Sequence, residues 1–298
     1  MNNKVSIQIQ AVIYHNQKKN LLKTIEHIHN ALGTVRDTVD RVQFVFGDAS
    51  STPTFSEAEV TEITRRFSDR LQFRYEFFNE NTGFGKGQNR MGAGCDTDYV
   101  LIMNPDIIVT PAFFTEMLRP FRDPKVGMTE ARQTPVEHHK AYDFHTLETG
   151  WASLACALVR TDIWNELKGI DSDSFFMYCE DVDFSWRLRL LGYKIVYCPT
   201  APVYHAKRLS NTAKWQPSHA EIYYSAESHL MMAHKWSYPK VKKVLLKRYR
   251  QGDAMLREIA EKFLEKERNG LLPPPIDPKH TVSYFKDGYY TDNRFIWD

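Results

Sequence analysis

The chain has 298 residues, 42% hydrophobic and 26% charged, and its 39 basic and 37 acidic side chains give a net charge of +2. This composition predicts a soluble globular protein with a sizeable core, and the even charge balance argues against a nucleic-acid partner. The four cysteines show no CxxC spacing, which excludes a zinc site of that kind and predicts reduced thiols. The N-terminus lacks the apolar core of a signal peptide, and no run approaches the ~18 apolar residues of a membrane span. We therefore expect a cytoplasmic protein, which could still contact the inner face of the membrane.

Strands and helices alternate through roughly the first 110 residues, which predicts a mostly parallel sheet with crossover helices and an α/β fold. Asn20 is the expected N-cap of the first helix. The predicted strands span residues 5–14, 42–46, 71–78 and 99–103, and the predicted helices span 21–32 and 57–67, with a glycine-rich segment at 81–94 entering a third helix.

The rest of the chain is less regular, and its character changes after His205. A proline suited to a first helical turn opens a predicted helix at 111–121. We further predict strands at 126–133, 151–160, 195–197 and 201–204, a loop at 134–149, and helices at 162–167 and after the acids near residue 180. Beyond His205, helical segments at 219–234 and 240–267 precede an extended tail that begins at residue 269.

Polar residues follow three of the predicted strands, at 14–16, 48–51 and 104–106. In open α/β sheets, ligands bind outside the carboxyl ends of the strands, so this half of the chain is interpreted as nucleotide-binding. The Asp106 carboxylate is a suitable ligand for magnesium or manganese. The alternative for Asn104-Pro105-Asp106 is a simple turn, since all three are turn residues. The other polar strand ends favour the metal site.

The glycine-rich segment Gly83-Phe84-Gly85-Lys86-Gly87-Gln88-Asn89 would let backbone approach a sugar or phosphate closely. It is not a P-loop, because no Ser or Thr follows Lys86, and it lacks the spacing of the dinucleotide fingerprint. The alternative is a flexible turn into a helix. Its position before the strand that leads to Asp106 favours a role in ligand binding.

An acid cluster, Glu180, Asp181 and Asp183, lies where an aromatic stretch enters a predicted helix. Acids in a first turn are also favoured by the helix dipole, and this alternative is strong for Asp183, which has Arg187 and Lys194 as candidate ion-pair partners. Crowded carboxylates beside aromatic residues have raised pKa values, as a general base requires, and we assign that role to Asp181. His205, at the end of a strand, could return to the same cleft.

A basic amphipathic segment runs from Lys235 to Arg250. It interleaves Lys and Arg with Trp236, Tyr238, Tyr249 and aliphatic residues. One interpretation is contact with a membrane surface that carries a lipid-linked substrate. The other, which we favour, is a helix packed on its own domain with a solvated basic face.

Residues 4–208 resemble the inverting family 2 glycosyltransferases with the GT-A fold, particularly the bacterial rhamnosyltransferase-like members. Three motifs in order carry the likeness: the segment from Asn81 to Asn89, Asn104-Pro105-Asp106, and the segment from Phe175 to Asp183. The family pattern reads N-x-G-F-(G/A)-x-G-x-N, then N-P-D, then F-F-M-Y-x-E-D-x-D. Here Asn104 replaces the first acid of a D-x-D motif, and Gly47-Asp48-Ala49-Ser50 stands where these members often have D-N-x-S.

The resemblance implies roles for the matching positions. Asp181 would be the catalytic base and Glu180 would shape the acceptor site, while Asp106 and His205 would bind a divalent cation, Mn²⁺ or Mg²⁺. Trp151 and Tyr178 would contact the acceptor. On the donor side, Tyr14 would lie near the nucleobase and Asp48 would contact the nucleoside. The other implied donor-binding residues are Gly83, Phe84, Lys86, Asn89, Asn104, Lys207 and Arg208.

The resemblance also implies a GT-A domain at residues 1–208, with a nucleotide-sugar half at about 1–110 and an acceptor half at about 111–208, followed by a helical extension at 209–298. The expected activity is metal-dependent, inverting transfer of a sugar to a saccharide or lipid-linked acceptor in bacterial polysaccharide assembly. L-Rhamnose from dTDP-rhamnose is the first choice of donor, with UDP-galactofuranose, UDP-glucose or another UDP-hexose as alternatives. A non-catalytic nucleotide-sugar or glycan-binding module is the rival of another class. A nucleotidyltransferase is disfavoured, because its Gly-rich basic loop does not follow the first strand.

Overall fold

The alternating first third of the chain builds one side of a single large sheet. A computed structural model describes residues 4–137, 141–205, 217–286 and Tyr290. The elements of this first part are β1 (Val5–Ile13), α1 (Lys18–Leu32), β2 (Val39–Asp48), α2 (Glu57–Phe67), β3 (Gln72–Phe77), α3 (Gly83–Gly92) and β4 (Tyr99–Met103). The α/β class is confirmed, and every strand expected in this part is present.

The second part of the sheet differs in detail from the prediction. Its elements are β5 (Ile107–Val109), α4 (Phe113–Leu118), a 3-10 turn (Arg119–Arg122), β6 (Val126–Thr134), β7 (Cys156–Arg160), α5 (Thr161–Glu166), α6 (Glu180–Leu190) and β8 (Lys194–His205). The short strand β5 was missed, and the two strands expected near residue 200 are one continuous strand. The strand predicted at 151–160 begins only at Cys156.

The sheet order is β3-β2-β1-β4-β7-β6-β8-β5. Four of the strand pairs are parallel and three are antiparallel, so the sheet is mostly parallel, as expected. The antiparallel pairing of β5 with β8 sets Ile107 opposite His205. Asp106, one residue earlier, is thereby brought next to the histidine that ends β8.

The start of α1 was predicted wrongly. The helix begins at Lys18 with Gln17 at its N-cap, and Asn20 lies inside the first turn, where its backbone N–H donates to the Gln17 carbonyl at 2.9 Å. By contrast, α2 starts with a complete capping box between Ser56 and Glu59. A capping box satisfies two of the backbone donors that a helix start leaves open.

Three helices follow the sheet: α7 (His219–Lys235), α8 (Pro239–Arg250) and α9 (Ala254–Arg268). The single helical segment predicted at 240–267 is therefore two helices, because a turn at Gly252 and an N-cap at Asp253 interrupt it. The described part of the tail, residues 269–286, returns to α7 through a 2.7 Å bond from the Ile276 N–H to the Lys235 carbonyl, and the extended course of the whole tail stays a prediction.

The C-terminal helices share a core with the helix that carries the acid cluster. Trp186 of α6 and Trp236 after α7 are fully buried and meet edge to face, with ring centroids 5.1 Å apart. Phe285 of the tail packs on Trp186 from another side. The predicted boundary at residues 208 and 209 lies outside the described residues, so the division into two domains stays a prediction.

The basic segment belongs partly to this core. Leu245 and Tyr249 of α8 are buried, while Val244 and the neighbouring Lys243 face solvent. Lys235 was grouped with the basic surface, and this was wrong, because its side chain is buried among acids. The packing agrees with a helix that rests on its own domain, and membrane contact through its exposed basic face remains a prediction.

Within the described residues, no helix is both long enough and apolar enough to cross a membrane.

Candidate functional site

A cleft of about 620 Å³ opens at the carboxyl edge of the sheet. Tyr14 after β1, Ala49 after β2 and Asp106 after β4 contribute to its lining, and His205 at the end of β8 closes that side. Glu180 and Asp181 of the acid cluster, together with the start of α7, form the other side. A cleft at this edge is where an open α/β sheet places its ligands.

Asp106 and His205 form a pair at one end of the cleft. The Asp106 Oδ1 atom lies 3.5 Å from His205 Nε2, and the imidazole is almost completely buried. The other ring nitrogen, Nδ1, is 2.8 Å from Gln133 Oε1 of β6. With the hydrogen on Nδ1 donated to Gln133, Nε2 presents its lone pair toward Asp106 and toward the Asn104 amide, 3.2 Å away.

This pair fits a divalent cation that takes its remaining ligands from elsewhere. Within the described residues, no group of three or more His, Cys, Asp or Glu side chains stands ready to hold a metal alone. The Asp106 carboxylate oxygen suits Mn²⁺ or Mg²⁺, and His205 Nε2 would be a further ligand, with substrate phosphates and water completing the coordination. Asp106 and His205 are therefore the residues that would hold the ion.

A sharp backbone turn delivers the acids to the cleft. Tyr178 and Cys179 adopt the left-handed conformation in succession, with φ values of 70° and 62°. Neither is glycine, and such a conformation costs on the order of 1 kcal/mol per residue, so the surrounding contacts must hold it in place. Helix α6 begins directly after this turn. The first two residues of the helix, Glu180 and Asp181, both line the cleft.

Glu180 differs from an ordinary surface carboxylate. It is 7% exposed, and its Oε2 atom is buried without a hydrogen-bond partner in the described part of the chain. Burial, and then the negative charges of Asp181 and Asp183, raise the pKa of Glu180 to about 8. Glu180 therefore keeps its proton at neutral pH. In such a pair, the neutral acid can donate a proton and the neighbouring aspartate can accept one.

The raised pKa predicts a stability that falls with pH. Between pH 5 and pH 8 the unfolded chain releases the Glu180 proton while the folded chain retains it, so folding weakens as the pH rises. We expect a loss of roughly 2–4 kcal/mol in the free energy of unfolding across this window, and Glu180→Gln should remove that loss. Urea unfolding of both proteins at several pH values measures it, because the histidines contribute equally to both.

An exposed acid provides the control for this experiment. Glu166→Gln at the end of α5 should leave the pH profile as it is in the unmodified protein. Parallel profiles for Glu180→Gln and the unmodified protein would show that the Glu180 carboxyl is ionised in the folded state.

The glycine-rich segment packs directly against the aromatic loop before α6. Gly83 has a φ of 65°, and a Cβ there would lie 2.5 Å from the Phe176 carbonyl oxygen. The Phe84 N–H donates to that same carbonyl at 3.4 Å. Gly83 and Phe84 thus line the cleft as expected, and they connect the predicted donor side to the loop that carries the acids.

Other residues assigned from the sequence do not line the cleft. The buried Asp48 carboxylate accepts the N–H groups of Ser50 at 2.9 Å and Thr54 at 2.8 Å, and also the Tyr75 hydroxyl. Burial raises the pKa of Asp48, but these hydrogen bonds outweigh it and hold the pKa below its usual value. Asp48 therefore orders the loop after β2, and its contact with a nucleoside stays a prediction.

Lys86, Asn89 and Trp151 are also engaged elsewhere. The Lys86 ammonium pairs with Glu80 at 3.0 Å on the surface. The Asn89 amide exchanges two hydrogen bonds with the backbone of Ile170, at 2.7 and 2.8 Å. Trp151 is buried in the core shared with the C-terminal helices. Tyr178 does line the cleft, whereas Lys207 and Arg208 lie outside the described residues.

Asp183 is more than a favourable charge at a helix start. It is completely buried, and it binds Arg187 Nε at 2.8 Å, Lys235 Nζ at 2.6 Å and the Trp236 indole N–H at 3.1 Å. The predicted pairing with Arg187 is confirmed. Pairing with Lys194 is wrong, because the Lys194 ammonium faces Asp123 on the surface at 3.3 Å.

Sequence reasoning missed several residues of the site. Gln133 orients His205 from a neighbouring strand, and no motif marks it. Phe176 was part of a quoted motif but received no role. Ala220, Glu221 and Tyr224 of α7 line the cleft although they follow the part of the chain that carries the motifs. The aromatic pair Tyr223-Tyr224 was the available signal for this helix.

Solved structures share the fold. GalNAc-T7 with UDP, GalNAc and Mn²⁺ matches with a TM-score of 0.63 at 14% identity, over 91% of this chain and 60% of that one. The mannosyltransferase PcManGT from Pyrobaculum calidifontis, in complex with GDP-Man and Mn²⁺, matches with a TM-score of 0.55 at 15% identity, over 91% of this chain and 81% of that one. The fold that this chain shares with them is GT-A.

The sequence comparisons specify the family. The model of glycosyl transferase family 2 matches residues 11–184, and the chain belongs to this family. N-acetylglucosaminyl-diphospho-decaprenol L-rhamnosyltransferase of Mycobacterium tuberculosis is 39% identical over 77 residues, which cover 26% of this chain and 24% of that protein. The match thus spans about a quarter of this relative, and the expected resemblance to rhamnosyltransferases is confirmed at that extent.

Proposed function

We propose that this protein transfers a sugar from a nucleotide-sugar to a saccharide or lipid-linked acceptor, with inversion at the anomeric carbon. The observation that carries the proposal is the meeting of two pairs in one cleft: Asp106 with His205, and Glu180 with Asp181. One pair would hold the cation that neutralises the diphosphate of a donor, and the other suits an acceptor hydroxyl. A direct displacement needs both at once.

The chemistry assigned to Asp181 is that of a general base. Its carboxylate takes the proton of an acceptor hydroxyl as the oxygen attacks the anomeric carbon, and the bond from that carbon to the nucleoside diphosphate breaks on the opposite face. Glu180, which holds its own proton, adds no second negative charge and can donate a hydrogen bond to the acceptor. A cation bound at Asp106 and His205 would supply charge stabilisation for the departing diphosphate.

L-Rhamnose from dTDP-rhamnose is our first choice of donor, supported by the partial match to a rhamnosyltransferase. UDP-galactofuranose, UDP-glucose or another UDP-hexose are the alternatives. A panel of nucleotide-sugars, scored for thermal stabilisation and for release of the nucleoside diphosphate, tests the proposal. We expect one donor both to stabilise the protein and to be consumed. Stabilisation without consumption, with or without acceptors, would indicate a binding module instead.

Removal of divalent ions should stop the reaction. We expect EDTA to abolish sugar transfer and Mn²⁺ or Mg²⁺ to restore it, because the cation would stabilise the negative charge that develops on the departing diphosphate. Asp106→Asn should lower transfer by at least about 10²-fold and weaken the response to added metal. Radiolabelled donor and isothermal titration with Mn²⁺ measure the two effects.

Asp123→Asn, which alters an exposed carboxylate away from the cleft, is the matched control and should behave as the unmodified protein. Transfer that continues unchanged after chelation would remove the metal from the mechanism.

A further inference from the structure

Two aromatic rings from distant parts of the chain form a wall beside the acids. Phe176 comes from the loop before α6 and Tyr224 from the second turn of α7. Their ring centroids lie 4.7 Å apart with an angle of 36° between the ring planes, so the two rings pack against each other in a tilted, partly face-to-face arrangement. Both rings line the cleft that also contains Glu180 and Asp181.

The wall is held in place from both sides. The loop on the Phe176 side is fixed to α7 by a 2.9 Å bond from the Ser228 hydroxyl to the Met177 carbonyl. The Tyr223 ring packs edge to face on the Tyr224 ring, with the ring centroids 5.2 Å apart. The Tyr223 hydroxyl accepts a hydrogen bond from Lys262 Nζ of α9 at 3.1 Å. An ordered aromatic surface binds with little entropy cost, because its side chains are already fixed.

Three carboxyl groups line the same cleft as the aromatic wall. Glu180 and Asp181 lie on the α6 side, and Glu221 lies on α7, where its carboxylate also accepts the Ser218 N–H at 2.6 Å. Carboxyl oxygens accept hydrogen bonds from hydroxyl groups, and ionised carboxylates repel phosphate or carboxylate groups on a ligand. The site therefore combines an apolar face with a rim that favours neutral hydroxylated ligands.

We propose that Phe176 and Tyr224 form an acceptor subsite that holds a neutral saccharide ring, with its C–H face against this aromatic pair and its hydroxyl edge toward the acids. A sugar ring has this two-sided character, whereas an alkyl chain would leave the acidic rim without a partner. The proposal rests on the proposed function, and it assigns acceptor selection to a helix outside the family motifs.

Binding of simple glycosides tests the subsite. The probes are the methyl and octyl glycosides of N-acetylglucosamine, glucose and galactose, together with octyl glucuronide, titrated by ligand-observed NMR. We expect at least one neutral sugar to bind in both methyl and octyl form, and the glucuronide to bind more weakly. Tyr224→Ala should weaken the neutral glycoside about tenfold, and Tyr224→Phe should keep its affinity.

The control on the same helix is Ile222→Ala, an exposed side chain that does not line the cleft, which should bind as the unmodified protein does. Ile222→Ala should also leave acceptor-independent hydrolysis of the donor unchanged. Equal affinity of Tyr224→Ala and the unmodified protein would overturn the subsite. So would affinity set by the alkyl chain regardless of the sugar, or absence of binding by every glycoside. A failure of the proposed function would instead appear as no donor consumption by the unmodified protein, while glycoside binding is still measured.

Discussion

Asp181→Asn is expected to fold normally, bind the donor as before and lower kcat for sugar transfer by roughly 10²–10⁴-fold. The carboxamide cannot take the acceptor proton. It can still accept the Val182 N–H, which donates to Asp181 Oδ1 at 2.8 Å, so the start of α6 should be preserved. Steady-state kinetics with labelled donor, combined with thermal unfolding, measures the loss of rate and the retention of the fold.

Asp173→Asn is the matched control, because Asp173 is an exposed aspartate in the loop that leads to the acids. It should retain full turnover. Near-normal turnover of Asp181→Asn, with donor stabilisation intact, would remove Asp181 as the base. The anomeric configuration of the product, read by NMR, independently tests the inversion.

Lys235→Met is expected to destabilise the fold by about 3–5 kcal/mol. The Lys235 ammonium lies 2.5 Å from an Asp171 oxygen and 2.6 Å from an Asp183 oxygen, and the Lys235 and Asp183 side chains are almost inaccessible to water. Burial raises the pKa of Asp171, but the charge and hydrogen bond of Lys235 outweigh burial and lower it. Methionine fills a similar volume but leaves buried negative charge with less compensation. Urea unfolding at pH 7 measures the difference.

Lys242→Met provides the comparison, since the Lys242 ammonium pairs with Glu267 at 2.9 Å nearer the surface and should contribute about 0–1 kcal/mol. The double variant Lys235→Met/Asp183→Asn should recover part of the loss, because it removes the uncompensated charge. Equal unfolding free energies for Lys235→Met and Lys242→Met would mean that the buried ion pair adds nothing to stability.

The sequence predicted the sheet well because hydrophobic runs in parallel strands are long and bounded by turn residues. β1 and β4 were found for that reason, and polar residues at the ends of these strands located the cleft. The three residues of β5 fall below the length at which a pattern is visible, yet their pairing with β8 is what sets Asp106 beside His205. The two residues were assigned together only through the family resemblance.

The parts of the site that were missed depend on contacts between remote segments. Tyr224 lies on α7, where the local pattern predicts a helix but does not show which of its side chains reach the cleft. Lys235, at the end of the same helix and outside the cleft, depends on remote contacts in the same way. Whether a lysine is solvated or buried depends on which acids fold against it, and Asp171 and Asp183 are far from Lys235 in sequence. Asp48 shows a different limit of sequence reasoning. An acid at a strand end indicates a ligand contact, and in the structure its carboxylate accepts hydrogen bonds that order the loop after β2, so the nucleoside contact stays a prediction.

The buried position of Asp183 has a consequence for biosynthesis. During synthesis, α6 leaves the ribosome well before α7, and Trp236, which donates to Asp183, lies 53 residues further along the chain. Until that segment emerges, Asp183 has only the partners that its own half of the protein supplies, such as Arg187. Chains emerge N-terminal end first at about 5–20 residues per second, so several seconds pass between the synthesis of α6 and the synthesis of the segment with Trp236 that packs on it. The nascent chain thus completes its active cleft only when its C-terminal helices arrive.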